Sequence, residues 1–209
     1  SLFEGMIKDK VDLTWNCSTR AERVTPEILK LMKKAGCHTI ALGMESVDRT
    51  VLKNIRKNIE PEQIRESVAL IRKHGMDSIL FCVVGFPGET KESIEKTIAF
   101  LKSIDTTYIT LGIAVPAPGT DFYKYVEQNN YLLTKDWSLY DPMKKPLFSY
   151  PLLTSDEIAN YSIYGLRQFY LRPKYILGRL LSIRSFSDIA AYGRNFSGFL
   201  KRYVLRFRE

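Results

Sequence analysis

Leu31-Met32-Lys33-Lys34-Ala35-Gly36 and Leu70-Ile71-Arg72-Lys73-His74-Gly75 are one pattern written twice, 39 residues apart. In both, a helical run closes on glycine and leads into an apolar stretch, Thr39–Met44 and then Ser78–Val84, that reads as a buried strand. Helix then strand, repeated, predicts βα units and a parallel sheet. Upstream, Val11–Trp15 is strand-like, and Thr25-Pro26-Glu27 opens a helix with Thr as N-cap and Pro in its first turn. Downstream, Asp48 caps a short helix through Leu52. Pro61 starts another, whose apolar face is Ile64, Val68 and Ile71. Beyond the turn Gly85-Phe86-Pro87-Gly88 come a helix carrying Ile94, Ile98, Leu101 and Ile104 and the strand Tyr108–Ile113. Four such units fall short of the eight of a closed barrel, so the sheet is open or part of a larger barrel.

After Thr120 the strands stop. Phe122–Tyr131 and Asp156–Phe169 read as helices, separated by a Pro- and aromatic-rich connector from Trp137 to Pro151. Ser187–Arg208 reads as an amphipathic helix with Ile189, Tyr192, Phe196, Phe199 and Phe207 on one face. The chain thus divides at Thr120 into an α/β part, residues 1–120, and a helical, basic extension, residues 121–209.

Of 209 residues, 45% are hydrophobic and 25 are aromatic, which excludes a disordered chain. No uninterrupted run of about 18 apolar residues occurs, so no transmembrane helix is expected. The first residues carry no signal-peptide core, and the start without Met reads as trimmed. Three cysteines spaced 20 and 45 residues apart form neither a disulfide framework nor a metal motif, and they fit the reducing cytoplasm. The net charge of +8 lies entirely in residues 166–209; residues 1–165 balance at 21 basic and 21 acidic. A neutral body carries a basic tail.

Nucleophile and phosphate-loop motifs are missing, and His38 and His74 each lie close to a helix-ending glycine, as ordinary loop residues. Glu45 is the exception. It directly follows a buried strand, on the rim where α/β proteins place ligands, and Lys57 stands twelve residues on, after a short helix that can fold it back. A carboxylate and an ammonium facing one cavity suit a ligand with hydroxyls or an amine plus a carboxylate; surface pairing explains the spacing equally well. Gly85–Gly88 and Pro116-Ala117-Pro118-Gly119-Thr120 read alone as turn chemistry, and Arg20 as a solvated or ion-paired arginine.

Taken in order, Trp15-x-Cys17-x-x-Arg20, Leu42-Gly43-Met44-Glu45-Ser46 with Leu52 and Lys57, Val84-Gly85-Phe86-Pro87-Gly88-Glu89-Thr90 and Pro116–Thr120 resemble the second half of the radical S-adenosylmethionine catalytic domain. The branch resembled is the one with an N-terminal cobalamin-binding domain, which includes the anaerobic magnesium-protoporphyrin monomethyl ester cyclases. Phe169-Tyr170-Leu171-Arg172-Pro173 is similar to that branch's C-terminal extension. The resemblance implies a partial TIM-type (β/α)6 barrel, of which this chain supplies roughly strands three to six, followed by a mainly α-helical extension. It implies that Glu45 and Ser46 contact the ribose or the methionyl amine of S-adenosylmethionine, and that Lys57 holds its carboxylate with Arg20 nearby. Val83 and the backbone at Gly85 would pack on the adenine, and Pro116 would shape the rim. The cofactors implied are S-adenosylmethionine and a 4Fe-4S cluster, with cobalamin, in a separate upstream domain, left open.

The family's Cys-x-x-x-Cys-x-x-Cys loop is missing, since no two cysteines here lie closer than 20 residues. Gly88 also replaces an acidic residue of the fifth-strand motif, and Ala117 a bulkier one. The expectation is a fragment, inactive alone, whose cluster ligands lie in an upstream part of the same polypeptide. Whole, it would cleave S-adenosylmethionine to a 5′-deoxyadenosyl radical and act on a small-molecule substrate that nothing here identifies. The alternative is a non-catalytic, degenerate α/β module whose basic amphipathic tail binds an anionic membrane surface or another anionic partner; nucleic acid is disfavoured, because no recognition motif accompanies the charge.

Overall fold

A computed structural model of the chain describes residues 2–139 and 145–183, with isolated positions at 193, 197 and 198. Four strands, β1 (Trp15–Thr19), β2 (Cys37–Glu45), β3 (Asp77–Val84) and β4 (Tyr108–Ile113), form one parallel sheet in chain order. Between them run α2 (Pro26–Lys34), α3 (Arg49–Asn54), α4 (Pro61–Lys73) and α5 (Lys91–Ser103); α1 (Leu2–Lys8) precedes β1. After β4 come α6 (Asp121–Gln128), α7 (Ser155–Tyr170) and α8 (Pro173–Leu181). This is the parallel sheet of βα units that the repeat predicts, and it is consistent with the partial (β/α) barrel that the resemblance implies. No helix among the described residues is long and apolar enough to cross a membrane.

Local chemistry explains most boundaries. Thr25 Oγ1 accepts from Ile28 N–H at 3.4 Å with Pro26 in the first turn, and Asp48 Oδ1 accepts from Thr50 and Val51 N–H at 2.9 and 3.2 Å. At the close of α2, Gly36 takes φ +91°, and a Cβ there would overlap the Leu13 carbonyl. Trp15 N–H donates to Gly36 O, and its indole N–H to Ala35 O at 2.6 Å. That crossing decides where β1 begins. The predicted strand Val11–Trp15 is displaced: pairing starts at Trp15 against Cys37, while Val11 and Leu13 stay exposed. The tail helix predicted over Ser187–Arg208 lies outside the described residues.

Alternation sorts the two faces of the sheet. Ile40, Leu42, Leu80, Cys82, Ile109 and Leu111 are buried beneath the helices. Gly43, Phe81, Val83, Thr110 and Gly112 line the concave side, where Phe81 and Thr110 are exposed. One apolar core joins the strands to Phe148, Leu153, Ile158, Leu166 and Phe169 of the extension.

The β4 edge is sealed by side chains. Ser162 Oγ donates to Leu111 O at 2.5 Å, the Tyr170 hydroxyl donates to Ile109 O at 2.8 Å and accepts from Ile109 N–H at 2.9 Å, and the Tyr175 hydroxyl donates to Thr107 O at 3.0 Å. Residues 107, 109 and 111 are the alternate positions whose backbone points away from β3, so the hydroxyls replace the partners that a further strand would offer. Gly165 permits this approach, since a Cβ there would lie 2.3 Å from Leu111 Cδ2. At the opposite edge, β1 pairs only with β2 among the described residues, and Asn16 and Ser18 are exposed.

Candidate functional site

The carboxyl end of β2 breaks the regular ladder. Gly43 pairs with Phe81, but Glu45 pairs with Cys82, so Met44 is an extra residue in the strand. Glu45 itself takes φ +64°, a left-handed conformation that costs a glutamate on the order of 1–3 kcal/mol and collects at functional sites. The consequence is an ion pair folded over the concave face: Lys57 Nζ donates to Glu45 Oε1 at 2.8 Å, both side chains about three-quarters buried. Gly43 makes the room, because a Cβ there would stand 2.8 Å from Lys57 Nζ and 3.0 Å from Glu45 Oε1. Lys57 reaches the rim from the turn after α3, where Lys57 N–H donates to Leu52 O and Arg56 takes φ +54°.

Neighbouring rim loops are stitched to the same turn. Asn54 Nδ2 donates to Pro87 O at 2.8 Å, and Arg56 pairs with Asp121, at the start of α6, at 3.2 Å. Beside the pair, and sharing Lys57 with it, α3 and the turn to α4 form an open hollow of about 380 Å³ whose floor includes Leu52 and Ile59 and whose charged lining is Arg49, Lys53, Arg56 and Glu60.

The loop after β3 is held by two residues that sequence reasoning did not single out. Glu89 is buried, 7% exposed, and accepts from the Gly85 N–H; Tyr150, from the connector, donates its hydroxyl to Gly85 O at 2.9 Å. Gly85 sits at φ +94°, with Phe148 Cζ 2.9 Å from where a Cβ would be. Burial is the main force on Glu89 and raises its carboxyl to about 7, against the pull of the Gly85 and Phe86 amides and with help from Asp48. Glu89 was quoted only as part of a motif; its distance from Gly85, four residues, is the signal that an acidic side chain can turn back to cap the loop.

The remaining predicted site residues divide. Val83 lies on the concave face beside Gly112, and Pro116 is buried in the loop after β4. Ser46 is turned away: its hydroxyl lies 3.2 Å from Thr97 on α5 and accepts from Asp48 N–H. Arg20 is exposed and paired with Glu22. The structure therefore brings Glu45 and Lys57 together and leaves the Arg20 and Ser46 side chains engaged elsewhere.

The donor set suits a zwitterion, with Glu45 available to an ammonium or hydroxyls and Lys57 to a carboxylate, and so fits the methionine end of S-adenosylmethionine. A 4Fe-4S cluster finds no such fit. Cys17, Cys37 and Cys82 sit on three different strands, and burial raises all three thiols, Cys37 to about 11, so they stay protonated. Among the described residues, no three metal-ligating side chains converge.

Comparison with known proteins bears on this geometry. A sequence model described as the Radical SAM superfamily matches residues 2–101. An uncharacterised methyltransferase of Pyrococcus horikoshii is 35% identical over 170 residues, covering 81% of this chain and 37% of that protein. The anaerobic magnesium-protoporphyrin IX monomethyl ester cyclase of Rubrivivax gelatinosus is 23% identical, over 91% of this chain and 38% of its own length. Among solved structures, the radical S-adenosylmethionine methyltransferase TsrM from Kitasatospora setae, determined with cobalamin and a 4Fe-4S cluster bound, superposes with a TM-score of 0.54 at 20% identity, covering 80% of this chain and 34% of that one. Coproporphyrinogen III oxidase (HemN) of Escherichia coli gives a TM-score of 0.56 at 15% identity, covering 76% and 33%. These two likenesses show the fold. The chain spans between three and four tenths of the length of the two curated relatives.

Proposed function

The chain belongs to the radical S-adenosylmethionine superfamily, and we propose that it forms the methionine- and adenine-binding part of an enzyme of the methyltransferase or cyclase kind. The observation that carries this is the Glu45–Lys57 pair, held over Gly43 by a strained backbone at the carboxyl end of a barrel strand. In the resting protein the two charges satisfy each other. A zwitterionic ligand exchanges that pair for two of its own, Lys57 to its carboxylate and Glu45 to its amine or to ribose hydroxyls. Val83 and the loop fixed by Glu89 and Tyr150 border the adenine, and Pro116 closes the far side of the rim.

S-adenosylmethionine, when bound, would supply the bond that is cleaved; Glu45 and Lys57 of this chain would orient it by its amine or ribose and its carboxylate. Because the cysteines here do not fit a cluster, the thiolates belong to an upstream part of a longer polypeptide. The chain's share of its relatives' length supports that reading. Cobalamin, which the structure of TsrM holds, is proposed as a further cofactor of the longer polypeptide, and the substrate as a small molecule.

The test begins with the coding sequence upstream of Ser1, which should hold a Cys-x-x-x-Cys-x-x-Cys segment. In the polypeptide it encodes, Glu45→Gln and Lys57→Met should each weaken S-adenosylmethionine binding about tenfold or more, a charge-assisted hydrogen bond being worth roughly 1.5–3 kcal/mol. A natural chain without that segment, or full 5′-deoxyadenosine release by both variants, would overturn the proposal.

A further inference from the structure

Helix α8 is built inside out. Over Pro173–Leu181, helical geometry sets Tyr175 and Arg179 on one side and Ile176, Leu177, Leu180 and Leu181 on the other. The body takes the polar side. The Tyr175 hydroxyl donates to Thr107 O, and the Arg179 guanidinium lies 5.4 Å from the centre of the Tyr108 ring and 5.2 Å from that of Tyr175. The aliphatic side faces outward: Ile176 is 38% exposed, Leu177 57%, Leu180 59% and Leu181 77%. Single exposed aliphatic residues are ordinary, but an isoleucine and three leucines on one helix face form the kind of patch that marks an interaction site.

Charge decides what covers it. The chain's entire +8 excess falls in residues 166–209; on α8 Lys174 is exposed, while Arg172 and Arg179 are held against the body, so most of the charge offered outward lies in the sequence after the helix. A second copy would set that excess against itself. Residues 184–209 hold six basic residues against two acidic, so laying them on α8 alone would concentrate like charge. An anionic lipid surface resolves both difficulties, taking the leucines into the acyl boundary and the cations at its phosphates. We propose that the outer face of α8, with the basic sequence that follows it, docks the protein on an anionic membrane. A nine-residue ridge anchors weakly by itself; the polybasic sequence is the second element that stable attachment needs. The inference is independent of the catalytic reading. Helix α8 touches the amino end of β4, at Thr107 and Tyr108, whereas Glu45 and Gly85 stand at carboxyl ends of strands, so docking leaves the rim free.

Co-sedimentation of the full chain with vesicles tests this. With equal parts phosphatidylglycerol and phosphatidylcholine the protein should pellet at low salt and be released at high salt; with phosphatidylcholine alone it should stay in solution. Leu177→Asp/Leu180→Asp should cut the pelleted fraction roughly tenfold. Leu152→Asp, at a site 85% exposed in the turn between Tyr150 and Leu153, should leave it unchanged. Absence of wild-type pelleting, equal pelleting on neutral vesicles, or equal pelleting of the double variant would each overturn the proposal. So would a wild-type dimer that ignores vesicles and that the double variant splits, because the ridge would then be covered by a second copy. The salt and lipid arms use the wild-type chain and do not depend on how the variants fold.

Discussion

Replacing Glu89 by Gln should change how stability depends on pH, not only how large it is. The Glu89 carboxyl is buried, and its pKa in the fold is raised to about 7 from the ordinary 4.5. Between these two values the folded protein holds a proton that the unfolded chain has released, so stability falls as pH rises through that window. Two and a half pKa units correspond to about 3 kcal/mol, present below pH 4.5 and lost once pH passes 7. Glutamine keeps the size and an oxygen for the Gly85 N–H but has no proton to lose. Urea unfolding of both proteins across this range, extrapolated linearly to zero denaturant, gives the comparison. The difference between variant and wild type should move in the variant's favour by about 3 kcal/mol from pH 4.5 to pH 8, along a slope near 1.4 kcal/mol per pH unit. Any fixed penalty for burying an amide shifts both ends equally and cancels. Parallel pH curves would refute the reasoning, because Glu89 would then titrate alike in both states.

Three further substitutions probe the packing. Gly85→Ala forces a side chain into φ +94° and against Phe148, so it should destabilise by about 2 kcal/mol or more in the same unfolding assay. Gly165→Ala improves helix propensity by about 1 kcal/mol but places a methyl 2.3 Å from Leu111 Cδ2 in a filled core; the overlap should prevail, with a lower melting temperature. Tyr170→Phe leaves Ile109 N–H and C=O without their hydroxyl partner. A loss of about 1–2 kcal/mol and faster hydrogen exchange at the Ile109 amide should follow.

The sequence made the sheet legible because each unit announces itself locally. Thr25, Asp48 and Pro61 mark helix starts, Gly36 and Gly75 mark ends, and the 39-residue repeat orders the strands between them. Glu45 and Lys57 were legible as a pair through position alone. What escaped depends on contacts distant in sequence or on departures from the usual facing. The Tyr150 hold on Gly85 joins residues 65 apart and carries no periodic signal. Ser46 reads as a rim residue, yet the turn at Glu45 aims it at Thr97. Helix α8 went unread because its aliphatic face points away from the core, the reverse of the pattern that periodicity arguments assume. The onset of β1 shifted because Gly36, not hydrophobicity, sets where the chain crosses.

The hydroxyl seal along β4 gives the half-barrel a polarity. One flank has its backbone groups spoken for by Ser162, Tyr170 and Tyr175, so any strand arriving from elsewhere can add only beside β1. Split-protein complementation therefore has a single productive geometry. An amino-terminal half supplied in trans would be selected for the Trp15–Thr19 edge.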